Sequence, residues 1–138
     1  MPLITGRCYC GEVEYAIAAE PQFRAQCHCR QCQYFTGGHP QISMAFPGTA
    51  FSYRKGTPAT YARPDLADPV RREFCSECGV HLAAWSPALP GTVLLCPGTL
   101  DDPSLCGAPE IVVFTAEKQS FHQIPEGVPA YERLPTPQ

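Results

Sequence analysis

The sequence predicts a mostly β protein, one small domain of short antiparallel sheets, and three observations carry that expectation. Sixteen prolines and 11 glycines break the chain at short intervals, and no stretch of a dozen residues keeps the 3.6-residue period of an amphipathic helix. Between the breaks lie short runs rich in β-branched and aromatic residues, the composition of half-buried strands. Most of the nine cysteines fall into three tight clusters, Cys8-Tyr9-Cys10, Cys27-His28-Cys29-Arg30-Gln31-Cys32 and Cys75-Ser76-Glu77-Cys78. Thiols so spaced hold a metal, zinc above all, rather than each other, so zinc is expected to staple the sheets.

Residues 12–17 alternate polar and apolar side chains, and residues 41–46 do the same, as a strand with one face in the core requires. Further strands are expected at 50–54, 59–62, 70–74, 81–85, 92–96 and 111–114. Pro47-Gly48, Lys55-Gly56, Pro90-Gly91 and Pro97-Gly98 supply turns between them. Residues 30–36 can form one short helical turn. From Ile124 the chain is rich in proline, and this tail, 124–138, is expected to lie over the surface as irregular chain. At 138 residues the chain supports one core, and 1–138 reads as a single domain.

Ten Lys and Arg against 13 Asp and Glu give a net charge of −3. No basic run exceeds Arg71-Arg72, which argues against a nucleic-acid surface. Apolar runs such as Val93-Leu94-Leu95-Cys96 are far too short to span a bilayer. The first residues lack the charged-then-apolar layout of a signal peptide, so a soluble, cytoplasmic protein is expected. In a reducing compartment nine cysteines serve metal or chemistry rather than disulfides. Cys8 with Cys10, or Cys27 with Cys29, would in any case make strained bridges.

The two pairs complete one tetrahedron. Cys8 and Cys10, two residues apart on a strand, would point to one face, and a C-x2-C turn folds Cys75 and Cys78 toward one point. Gly11 and Gly79 follow the pairs, where tight turns want a positive φ. Four thiolates close a structural zinc site with no free coordination place. The triplet Cys27, Cys29 and Cys32 is one ligand short. We read it as an open zinc site, where water or an incoming thiol binds and ionises at neutral pH. The alternative is that Cys96, Cys106 or a histidine fills the fourth place. His28 is wedged between two ligands and points the other way on extended backbone. Cys96 and Cys106 read more simply as small core or loop hydrophobes.

At these residues the sequence resembles the glutathione-dependent formaldehyde-activating enzyme family, whose relatives include centromere protein V. The matching motifs are Gly6-Arg7-Cys8-Tyr9-Cys10-Gly11, Cys27 to Cys32, Phe74-Cys75-Ser76-Glu77-Cys78-Gly79 and Gly98-Thr99-Leu100-Asp101-Asp102-Pro103. The resemblance implies a β-tent-like fold with a structural zinc on Cys8, Cys10, Cys75 and Cys78. It implies a second, catalytic zinc on Cys27, Cys29 and Cys32. It also implies a carbon–sulfur lyase that handles the adduct of formaldehyde and glutathione. Where many relatives carry His and Trp near the end, this chain has Glu110, Phe114 and Phe121.

Glutathione carries two carboxylates, so cations are wanted near the open site. Arg30, inside the triplet, is the candidate glutathione contact. Arg24, Arg71 and Arg72 also flank the cysteine clusters, and each of these arginines taken singly reads as a solvated surface charge. Gly37-Gly38 could let a ligand approach. His39, His81 and His122 have no partner at diagnostic spacing and read as ordinary. Asp101-Asp102-Pro103 reads as a turn cap, and Trp85 as core. The expected function is a zinc-dependent lyase acting on a thiol–aldehyde adduct, with small-molecule partners. The competing one is a non-catalytic, zinc-stapled module that binds a protein or peptide.

Overall fold

The computed structural model describes residues 3–135. Among them, ten strands build two sheets. In the smaller sheet, β1 (Ile4–Arg7) pairs antiparallel with β2 (Glu14–Ile17), which pairs antiparallel with β5 (Phe51–Lys55). The larger sheet begins with β10 (Ile111–Val113), β3 (Phe23–Cys27) and β4 (Gln41–Pro47). It continues through β9 (Thr92–Leu95), β8 (His81–Trp85), β7 (Arg71–Phe74) and β6 (Ala59–Tyr61). The single described α-helix, α1 (Arg30–Thr36), joins β3 to β4.

The expected strands are present with ends within two residues of where the pattern puts them, and the helical turn spans the expected residues. Two strands lacked a sequence signal. β1 is four residues with a glycine inside, and β3, Phe-Arg-Ala-Gln-Cys, mixes charge into a short run. Both exist because neighbours on the sheet satisfy their backbone groups. β3 lies between β4 and β10. The β3–β10 pair is parallel, the departure from the antiparallel expectation.

The core lies between the two sheets. Tyr15 and Ile17 of β2 meet Met44 and Phe46 of β4, Leu82 of β8, and Val93 and Leu95 of β9. The buried positions two apart on each strand are those that alternation assigns to one face. Each such side chain contributes about 1.5–3 kcal/mol by leaving water. Trp85 packs at the core's margin, as expected, and its indole N–H donates to Glu73 Oε1 at 2.9 Å. Tyr53 Oη donates to the same oxygen at 2.9 Å, so the buried Glu73 carboxylate is doubly bonded. Asp102 caps the turn after Leu100, accepting from the Ser104 N–H at 3.2 Å.

Residues 124–135 contain no strand, as expected of the tail, yet they do not simply overlie the surface. Val112 N–H donates to Pro129 O at 2.8 Å and Tyr131 N–H to Val112 O at 2.9 Å, pinning the tail along β10. The remainder of that expectation, residues 136–138, lies outside the described residues.

Candidate functional site

Cys8 and Cys10 lie in a turn after β1, not on a strand. Gly11 N–H closes the turn on Cys8 O at 3.2 Å, and Cys8 N–H reaches Val13 O at 3.0 Å. Gly11 has φ +83°, a left-handed step within the turn that leads from β1 to β2. Cys75 and Cys78 occupy the turn between β7 and β8. There Gly79, at φ +77°, donates its N–H to Cys75 O at 2.8 Å. The four sulfurs lie within 4.8 Å of one another. Cys10 Sγ is 3.7 Å from both Cys8 Sγ and Cys75 Sγ. A tetrahedron with metal–sulfur bonds of about 2.3 Å has edges of about 3.8 Å, so these residues fit one ion. The Val13 N–H points at Cys8 Sγ from 3.3 Å. Burial opposes ionisation of Cys8, but that N–H and the neighbouring thiols outweigh it, and its pKa falls. The Cys10 backbone N–H helps hold Cys78 down to about 6.

The second cluster forms where β3 runs into α1. Cys27 ends the strand, Cys29 is the N-cap of the helix, and Cys32 sits in its first turn. The Cys32 N–H donates to Cys29 Sγ at 3.3 Å, and the two sulfurs are 3.1 Å apart. All three sulfurs lie within 4.8 Å of one another, and among the described residues no fourth His, Cys, Asp or Glu joins them. Cys96 instead accepts from Gln41 Nε2 at 3.7 Å, and Cys106 packs into the core. Without metal, the Cys27 and Cys32 thiols and the Cys32 N–H hold Cys29 down to about 3, with the charge of Arg72 helping. The Cys29 thiolate in turn pushes Cys27 up to about 12, and Cys32 is pushed up by both neighbours.

His28 is turned away from the sulfurs, as expected, and is fully buried. It is paired with His122, which sequence spacing made look ordinary. His122 Nε2 lies 2.7 Å from Gly38 O, an acceptor, so this nitrogen carries the proton. His122 Nδ1 then accepts from the Gln119 N–H and from His28 Nδ1, each at 3.0 Å. His28 Nε2 is left to accept from Gln26 Nε2, also at 3.0 Å. One tautomer of each ring satisfies every contact. The chain of bonds ties the segment around His122 to the loop that carries the three thiols. No local spacing could have revealed it, because the two histidines are 94 positions apart.

The arginines sort unexpectedly. Arg30 is exposed, donating to Gln33 Oε1 at 2.5 Å and stacking its guanidinium 4.9 Å from the Tyr34 ring. Arg24 pairs with Glu110 at 3.0 Å and Arg71 approaches Glu73 at 3.9 Å. Arg72 is buried, against the reading that it is solvated. A signal was present: on β7, Arg72 shares its face with Phe74 and, one step earlier, Val70, two apolar residues.

The sequence profile described as "Glutathione-dependent formaldehyde-activating enzyme" matches residues 3–117, which include both cysteine clusters. No curated protein sequence matches the chain. The fold is similar to that of a crystal structure of a Rhodobacter sphaeroides protein. The TM-score is 0.62 at 18% identity, over 76% of this chain and 96% of that one.

Proposed function

Because the chain belongs to the glutathione-dependent formaldehyde-activating enzyme family, we propose that it is a zinc-dependent carbon–sulfur lyase. Its substrate would be the adduct of glutathione, or a similar thiol, with an aldehyde, as in S-hydroxymethylglutathione. One observation carries this reading: three convergent cysteine sulfurs with no fourth protein ligand among the described residues. Cys8, Cys10, Cys75 and Cys78 would hold a closed structural zinc, and Cys27, Cys29 and Cys32 a second with one place free. Zinc bound at the triplet would supply Lewis acidity and favour the thiolate form of an incoming thiol at neutral pH.

The residues present serve that chemistry by position. Cys27 is held by strand pairing on both sides, to Val113 and to Gln41, while Cys29 is fixed as a helix cap and Cys32 by the first turn. The three candidate ligands would thus be held by backbone before substrate arrives, as productive geometry requires. In the synthetic direction a carbon–sulfur bond forms and the thiol's proton passes to the carbonyl oxygen. In the lyase direction that bond breaks, and thiol and aldehyde are released. No helix among the described residues is long and apolar enough to cross a membrane. A cytoplasmic site of action is part of this proposal.

The test is Cys32→Ser, measured for turnover of formaldehyde with glutathione and for zinc per chain. The expected outcome is two zincs falling to one, turnover lost, and thermal melting nearly unchanged. A variant that unfolds, or one that keeps turnover, would overturn the open-site reading.

A further inference from the structure

The question left by the two clusters is why Arg72 is buried. It sits on β7 between Tyr61 of β6 and Ala84 of β8, and only 9% of it is exposed. Its guanidinium carbon lies 4.0 Å from the ring centroid of Phe35, three residues beyond Cys32 on α1. Arg24, Arg63 and Arg71 each have a carboxylate partner. Among the described residues Arg72 has no carboxylate within 4.0 Å, no side-chain hydrogen bond, and no bond to any cluster sulfur. Glu73, next in sequence, points to the opposite face and is held by Tyr53 and Trp85.

Arg24 Nε is the one buried side-chain nitrogen without a partner among the described residues, so the unbonded N–H groups of Arg72 still reach solvent and are free to take an acceptor from it. Phe35 covers one face of the guanidinium plane, but the N–H donors lie in that plane and stacking does not satisfy them. Arg72 lines a cavity of about 270 Å³, whose wall also includes Gln31, Tyr34, Tyr61, Arg63 and Val70. This is near the lower end of the roughly 300–1,000 Å³ usual for small-ligand sites. Arg63 is already engaged by Asp65, so the Arg72 fork in a largely apolar wall matches a small molecule that ends in a carboxylate. Gln31, Tyr34 and Phe35 of this wall all belong to α1, the helix capped by Cys29 and carrying Cys32 in its first turn, so one side of the cavity is built by the element that holds the triplet.

We propose that Arg72 binds a carboxylate of the thiol substrate in this cavity, setting the thiol beside Cys27, Cys29 and Cys32. The inference rests on the thiol-dependent reading above and narrows it to carboxylate-bearing thiols. It also transfers the substrate-binding role expected of Arg30 to a residue on the opposite side of α1's packing, since Arg30 is engaged by Gln33.

Calorimetric titration of the zinc-loaded protein tests it, with two matched pairs of probes. These are glutathione against its diethyl ester, and 3-mercaptopropionate against 3-mercaptopropionamide. The wild type should prefer the acid of a pair by roughly tenfold to a hundredfold, the range of a charge-assisted bond. Arg72→Gln should erase that preference, and Arg72→Lys, which keeps the charge but loses the fork, should keep part of it. Melting and zinc content confirm that each variant is folded. If Arg72→Gln does not fold, the wild type still decides, because equal binding of acid and ester overturns the proposal. Glutathione bound equally by wild type and Arg72→Gln overturns the role of Arg72 and leaves the function standing. An Arg72-dependent preference for mercaptopropionate with no binding of glutathione supports the carboxylate site and overturns glutathione as the thiol. Loss of zinc in Arg72→Gln with the acid preference intact means that Arg72 only balances the cluster's charge, and overturns the proposal.

Discussion

His122 and Tyr53 show how single side chains in this protein act through what they hold. His122 Nδ1 accepts two hydrogen bonds and its Nε2 donates one, so removing the ring strands the buried His28 N–H and the Gly38 carbonyl. A buried donor without a partner costs about 1–3 kcal/mol. His122→Phe, of similar shape, should therefore lose about 2–3 kcal/mol in urea unfolding while its zinc content stays that of the wild type. An unchanged midpoint would show that the His28 pair is dispensable. Tyr53 supplies a pH dependence. Burial, then the charge of Glu73, raises its pKa above the ordinary phenol value. The folded pKa is the higher one, so its contribution is fully present below the unfolded value of about 10. It is lost as pH rises from there toward the folded value. The melting temperature should fall above pH 10, and in Tyr53→Phe it should fall less steeply. The same slope in both proteins would rule out Tyr53 as the source.

At the scale of elements, the segment after the family match holds the thiol loop from outside. Gln119 Nε2 donates to Gln33 Oε1 at 3.2 Å, and Gln26 Nε2 donates to Gln123 O at 2.9 Å. Farther on, residues 129–132 bond to β10 and the turn after it through Val112, Thr115, Ala116 and Tyr131. β10 is a three-residue edge strand, so this tail covers an edge that would otherwise be open. Truncation after Glu117 removes these bonds together with His122. At about 1 kcal/mol for each net hydrogen bond, the loss should be several kcal/mol. The four-cysteine site shares no element with the tail. Zinc analysis should therefore find that site loaded in the truncated protein while hydrogen exchange along β3 and β10 accelerates. Unaltered exchange there would mean the tail is not a brace. β3 shows why this was hard to read beforehand. Its five residues carry an arginine and a glutamine, and only the partners on both sides make it a strand.

At the scale of the molecule, the four-cysteine cluster joins the end of β1 in the small sheet to the β7–β8 turn in the large one. A metal held there would tie the two layers on either side of the core. In small domains such an ion supplies on the order of 10 kcal/mol toward folding. Cys75→Ser should thus leave a protein that is unfolded or melts far below the wild type, in contrast to Cys32→Ser. If both variants lost one zinc and the same small stability, the division into a structural and a chemical site would fail.

What the sequence by itself determined is what short range can encode. Proline and glycine punctuation and alternation yielded eight strands and α1, and thiol spacing marked the two groups of cysteines whose sulfurs the fold brings together. Each signal is written within a few residues, where backbone geometry decides the outcome. The tertiary structure alone decided the β3–β10 pairing, the bonding of His28 to His122, and the burial of Arg72 beneath Phe35. These rest on partners brought together from distant parts of the chain. A polar residue's environment is a property of those partners and not of its neighbours in sequence. Arg30 and Arg72 illustrate the point: the arginine inside the cysteine motif faces solvent, and the one 42 positions later lies under Phe35 and lines a cavity.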